Sequence, residues 1–216
     1  MSNVPVDIKE QIKKALTSVR ERAVPLPGNT IKIEAGLFQL PTGESADEIT
    51  VVLLDWRYSR SYFDKPYQPG SKERPKCFAL SASFIDSPHG RSPEAQATQC
   101  SDCPFDEWGS ALNGGGKACR EHRLLAVTTV NADLAEPMLL RVPPTSLSAF
   151  DQIPVALQTA GKTPFEHKLR ISLEPQGTYS KMKFKLLDAT PEDLLPKYLE
   201  LYQAAQKMLD RLPVED

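Results

Sequence analysis

Hydrophobic positions follow different rhythms along the chain, and each predicts a different element. From Val6 to Ala23, Ile8, Ile12, Leu16 and Val19 recur every three or four residues among lysines and glutamates, which predicts an amphipathic helix, with Pro5 suited to its first turn. Pro25, Pro27 and Gly28 stop it. Thr30 to Leu40 reads as a strand closed by the turn signal Pro41-Thr-Gly-Glu, and a second strand runs from Glu48 to about Phe63. Its first part, Ile49 to Leu54, is continuously apolar, the pattern of a strand buried on both faces.

From there to about Glu121 neither rhythm is sustained, and proline, serine and glycine are frequent. Strand patterns return at Arg123 to Val130 and Met138 to Val142 around an Asn131-Ala-Asp turn, with Pro143-Pro144 as the stop. Ser146 to Ala160 predicts a helix anchored by Leu147, Phe150, Val155 and Leu157, kinked or split by Pro154 and ended at Gly161. Two strands follow, His167 to Leu173 and Lys181 to Leu187. In the second, Met182, Phe184 and Leu186 alternate with Lys181, Lys183 and Lys185. A last helix begins near Thr190-Pro-Glu-Asp and carries Leu195, Leu199, Tyr202, Leu209 and Leu212.

This order predicts a mainly β fold with flanking helices: an OB-type five-stranded barrel with a zinc-binding insertion. The expected organisation is an N-terminal helix and linker over 1–28, the barrel over 29–189 with the insertion at about 64–121, and a C-terminal helix with a short acidic end over 190–216.

Composition narrows the function. The 216 residues are 40% hydrophobic, enough for a globular core, and no stretch has the length and apolarity of a membrane span. The start lacks a secretory apolar core, so a soluble, cytoplasmic protein without a membrane partner is expected. A net charge of −2 argues against coating duplex DNA by bulk positive charge, so any nucleic-acid site must be a local patch.

Four cysteines in a reducing compartment point to metal before disulfides. Cys100-Ser-Asp-Cys103 is a Cys-x-x-Cys knuckle, with 22 residues between Cys77 and Cys100 and 15 between Cys103 and Cys119. Four thiolates satisfy tetrahedral zinc with no open position, the signature of a structural site. His89 and His122 are the alternative ligands by residue type. A thioredoxin-like redox role does not suit a knuckle followed by Pro104 in a loop. Asn113-Gly-Gly-Gly-Lys117 is followed by Ala118, so it is no phosphate loop. No nucleophile and base pair stands out, and a non-enzymatic protein is expected.

Between Trp56 and Lys76 lie five of the chain's sixteen aromatics, Trp56, Tyr58, Tyr62, Phe63 and Tyr67, interleaved with Arg57, Arg60, Lys65, Lys72, Arg74 and Lys76. On a continued strand Trp56, Tyr58, Arg60 and Tyr62 share one face. Unpaired bases stack on such rings while cations follow the phosphates, so single strands fit better than duplex. Lys117, Arg120 and Arg123 extend the basic patch, and Trp108 either joins it or packs on the zinc module.

These residues resemble a family, the zinc-containing, phage-type single-stranded DNA-binding proteins with an OB fold. The resemblance lies in Phe38-Gln-Leu-Pro-Thr-Gly-Glu, Val51-Val-Leu-Leu-Asp, Pro75-Lys-Cys77-Phe, Cys100-Ser-Asp-Cys103-Pro with Trp108-Gly-Ser, Gly116-Lys-Ala-Cys119-Arg, and Leu140-Arg-Val-Pro-Pro-Thr-Ser. It implies binding of single-stranded DNA without strong sequence preference during replication or recombination, beside proteins of those processes, in a host cytoplasm if phage-encoded. Many single-strand binders end in a long acidic tail, whereas only Asp210, Glu215 and Asp216 supply acids near this end. Two other readings share the same residues: a zinc-dependent protein adaptor, and a binder of single-stranded RNA.

Overall fold

The computed structural model describes residues 29–66, 73–112, 114–131, 133 and 136–211. The expected helix over 6–23, together with Tyr67, Lys72 and Leu212, lies outside these residues.

Among the described residues, nine strands form one sheet: β1 (Thr30–Glu34), β2 (Leu37–Gln39), β3 (Ser45–Ala46), β4 (Glu48–Tyr62), β5 (Cys77–Ser81), β6 (Cys119–Thr129), β7 (Met138–Val142), β8 (His167–Gln176) and β9 (Tyr179–Ala189). Their order is β3-β2-β1-β7-β6-β4-β8-β9, with β5 paired to β4 off this path. All pairs are antiparallel except β1 with β7. The molecule is therefore mainly β, a curled mixed sheet in the form of a half-barrel.

The expected strand over 30–40 is a hairpin instead. Ala35 and Gly36 both take positive φ, 51° and 78°, and reverse the chain between β1 and β2. The turn signal at Pro41 to Glu44 is real, with the Gly43 N–H donating to Leu40 O and the Leu40 N–H to Glu44 O. The helix expected over 146–160 is split into α1 (Leu147–Phe150) and α2 (Gln152–Thr159). The break falls at Asp151, so Pro154 sits in the first turn of α2, where its missing N–H costs nothing.

Strand β4 organises both cores. Its apolar run faces two ways, as expected. Val51 and Leu53 join Leu125, Leu140, Phe150, Ile153, Leu169, Ile171 and Met182 on one face. Val52 and Leu54 join Leu124, Ala126 and the C-terminal helix α3 (Leu195–Arg211) on the other. Phe184 and Leu186 pack on the first cluster, while Lys183 and Lys185 stay exposed. Helix α3 buries Tyr198, Leu201, Ala205, Met208 and Leu209, leaving Leu199 46% exposed. Of the expected stripe, Leu209 is buried and Leu195 packs on the cluster, Tyr202 is half-buried against Phe165, and Leu199 alone among the described members points away.

Candidate functional site

A β-bulge decides where the aromatic segment points. The register of β4 against β6 slips between Leu53 and Asp55, so Leu54 and Asp55 together oppose Ala126. Simple alternation from Leu53 would send Trp56 toward α3. The extra residue returns Trp56, Tyr58, Arg60 and Tyr62 to the face of Val51 and Leu53, opposite Leu125, Arg123, Glu121 and Cys119 of β6.

On that face the segment is packed by its own chain. Trp56 meets Phe150 edge-on at 6.0 Å, and its buried Nε1–H finds no acceptor among the described residues. The Arg123 guanidinium lies 4.2 Å over the Tyr58 ring. Tyr62 stacks on Phe105 at 4.1 Å. Between these rings runs a ladder of alternating charge. Asp151, at the α1–α2 break, takes two hydrogen bonds from Arg123, of 3.0 and 2.9 Å. Arg123 also reaches Glu121 at 2.7 Å, Glu121 lies 3.6 Å from Arg60, and Arg60 donates to Asp106 at 2.9 Å. Lys117 closes the ladder on the other oxygen of Asp106 at 3.0 Å. A forked arginine between two carboxylates is the geometry in which such pairs hold elements in place.

The four cysteines converge at the end of this ladder. Cys77 on β5 and Cys119 on β6 are the two cross-strand neighbours of Tyr62, so all three side chains share its face. Cys100 and Cys103 frame a 3-10 turn that precedes Phe105, the ring stacked on Tyr62, and Cys100 packs with Ala79, Ile85 and Tyr58. The Cys100 N–H donates to Asp86 O, and the Cys103 N–H to Cys100 O. All four thiols are free. Each lies within electrostatic reach of at least two others, and Arg60 acts on Cys100 and Cys119. Burial pushes the Cys119 thiol up to about 12, the Arg60 charge opposing it. Burial likewise raises Cys100. A cation among these sulfurs reverses that preference, because a coordinating thiol is deprotonated. As placed, no three His, Cys, Asp or Glu side chains among the described residues form a group able to hold an ion. Cys77 and Cys119 share a face of the sheet, and the four thiols have a donor chemistry that suits zinc, without being drawn into a ligating cage.

Neither alternative histidine joins them. His122 alternates with Cys119 and Glu121 along β6 and so faces the other side of the sheet, where its Nδ1 is buried without a partner among the described residues. Burial, then the charges of Arg141 and Arg120, hold His122 down to about 3. His89 stacks on Phe78 at 5.1 Å, and its Nδ1 accepts the Arg91 N–H.

The remaining residues of the expected nucleic-acid surface are dispersed. Arg57 points to the α3 side, 5% exposed, tied to Asp55 at 2.8 Å and Asp210 at 2.8 Å. Lys76 bridges Asp64 and Glu94 at the surface. Phe63 is half-buried, and Arg74 and Arg120 are exposed. The expected irregular insertion also contains a strand, β5, which pairs with the second half of β4 from Tyr58 to Tyr62.

The rings that do face outward were not the focus of the sequence pattern. Trp108 is 81% exposed and Phe84 74%, and both flank the cysteine turn along the chain. The loop bearing Trp108 is not loose: the Gly109 and Ala111 N–H groups both donate to Gly116 O, and Ser110 Oγ donates to Phe105 O and accepts from the Ala118 N–H. Its departing limb carries Lys117, Cys119 and Arg120. The sequence signal for this loop was Trp108-Gly-Ser three residues ahead of the glycine run Gly114-Gly-Gly, an aromatic with no apolar partner in either rhythm. No family model, curated protein or solved structure matches the chain.

Proposed function

We propose that this chain is a non-enzymatic binder of single-stranded DNA whose contact surface is organised by one structural zinc, held by Cys77, Cys100, Cys103 and Cys119. The zinc reading is supported by four free cysteines around Tyr62: Cys77 and Cys119 flank it on the neighbouring strands, and Cys100 and Cys103 frame the turn leading to Phe105, the ring stacked on it. Four thiolates leave no position for substrate or water, so the ion's role is to fix the loop between Cys103 and Cys119 against the sheet. The OB-type reading finds support in the curl of the sheet and in β4 being shared between two neighbours on one edge, β8 along Glu48–Val52 and β5 along Tyr58–Tyr62.

The observation that carries the binding reading is Trp108. It is an indole 81% exposed on a loop pinned by its own hydrogen bonds, with Lys117 and Arg120 on the same loop's return. A base stacked on such a ring contributes about 1–3 kcal/mol, and the cations serve the phosphates. This moves the stacking platform away from Trp56, whose ring is occupied by Phe150. The adaptor reading retains one observation, the 82% exposure of Leu112, an apolar group that stacking does not use.

The chain has two tryptophans, which makes the test direct. Titration with an oligo-dT strand should quench the fluorescence of a Trp56→Phe variant, in which Trp108 alone reports, and leave a Trp108→Phe variant nearly silent. Affinity should fall with salt by about 0.7 per phosphate contact on a double-logarithmic plot. Duplex of equal length should bind much more weakly. Equal binding of single strands and duplex, or no binding by either, would favour the adaptor.

A further inference from the structure

Arg60 stands on the sheet face of Cys77 and Cys119 and acts electrostatically on Cys100 and Cys119, and its partners do not suit a phosphate-binding side chain. Its direct neighbours across the sheet are Ala79 on β5 and Glu121 on β6, and its diagonal neighbours are Cys77 and Cys119. Diagonal positions stand about 7–8 Å apart, within reach of a long side chain. The side chain is 14% exposed, and its shorter ion pair, 2.9 Å, goes to Asp106. Asp106 is tied in turn to the knuckle, its N–H donating to Cys103 O at 2.9 Å. Arg60 therefore links the strands that carry Cys77 and Cys119 to the turn that carries Cys100 and Cys103.

We propose that Arg60 is a positioning residue of the four-thiolate metal centre: it clamps the knuckle onto the sheet through Asp106 and offsets the negative charge of the thiolates. This rests on the zinc reading given above. A zinc ion with four thiolates carries a net charge of −2, and a cluster so placed needs a nearby cation that is not free to leave. Arg60 meets that need because Asp106 and Glu121 fix its orientation. Lys117, on the second oxygen of Asp106, adds a further positive charge at the rim.

The test is zinc retention by the full chain against a chromophoric chelator, comparing the wild type with Arg60→Met and Arg60→Lys. Loss of an outer-shell partner costs about 10- to 100-fold in metal affinity, and that is the loss expected for Arg60→Met. Arg60→Lys, which keeps the charge without the fork, should recover part of it. Cobalt(II) in Arg60→Met should keep the absorption of a four-thiolate tetrahedral site, showing that the ligands are intact and only less firmly held. Saturated with zinc, Arg60→Met should bind oligo-dT like the wild type, with the same salt slope. Unchanged zinc affinity in Arg60→Met overturns this proposal alone, as does a flattened salt slope in the zinc-saturated variant, which would make Arg60 a phosphate contact. A wild-type chain without stoichiometric zinc overturns the four-thiolate reading itself, and this proposal with it.

Discussion

Strand β4 passes through two kinds of interior. Before the bulge, Ile49, Val51, Val52, Leu53 and Leu54 are buried between two apolar clusters. After it, Arg57, Ser59 and Ser61 are as deeply buried, at 5%, 1% and 2% exposure, with His122 beside them on β6. The first half is held by area removed from water. The second has little apolar area, and ion pairs, stacked rings and thiols take over. Burial alone does not stabilise such a region, because polar groups taken from water gain only when partnered. The difference gives the proposed metal its place: four thiolates around an ion would supply at the polar end the cohesion that side-chain packing supplies at the other.

The largest effect should come from the apolar half. Phe150 is wholly buried and touches both Trp56 and Phe184. Phe150→Ala should cost about 3–5 kcal/mol in urea unfolding, with every probe reporting a single transition. If that variant unfolded only the region beyond Tyr58, the two halves would not share one core.

Within the polar half, Arg57→Met should cost about 2 kcal/mol. This is below the roughly 3–5 kcal/mol for breaking a wholly buried pair, because the Asp210 side chain is 66% exposed. A cost under the error of the melt would show that the Arg57 pairs are spectators. The contrast sharpens with pH. His122 is held to about 3 when folded, against 6.5 ordinarily, so the unfolded chain takes up its proton first. Stability should be complete above pH 6.5 and fall as pH drops toward 3, with a slope of up to about 1.4 kcal/mol per pH unit from this one group. His122→Gln should flatten the profile between pH 6.5 and about 5, above the ordinary carboxylate range. An unchanged slope would place the acid sensitivity elsewhere.

The smallest effect lies outside both halves. Glu166 accepts the Thr163 N–H and hydroxyl in a capping box, and those bonds lower its carboxyl to about 2 from 4.5. Its contribution is present above pH 4.5 and lost as pH falls toward 2. Glu166→Gln should cost about 0.5–1 kcal/mol at neutral pH, and the difference from wild type should shrink through that window.

The alternation of Met182, Phe184 and Leu186 and the two-sided run from Ile49 to Leu54 were legible because each side chain there answers to one rule, burial. The β1–β2 turn was not, since Ala35 takes a positive φ that the sequence Glu-Ala-Gly does not advertise. On α3, Leu195 and Leu209 were legible as core, whereas the exposure of Leu199 was hidden because it is an apolar residue next to the buried Tyr198. The bulge after Leu53 contains no glycine to mark it, yet it decides which way Trp56 points. For the candidate site, the cysteine spacing singled out the four cysteines as expected donors. Only the strand register shows that Tyr62 stands between Cys77 and Cys119. The aromatic stripe was legible as a face, but its occupants, Phe105, Arg123 and Phe150, come from distant parts of the chain.

The central claim is that the metal at the polar end builds the surface that binds single strands. Its most direct test is the affinity of the full chain for a fluorescent oligo-dT strand, measured zinc-loaded, after removal of the metal by a chelator, and after zinc is returned. Binding should weaken sharply on removal and recover on return, while circular dichroism shows the sheet intact throughout, because the apolar half has its own core. Identical affinity with and without the metal would contradict the account.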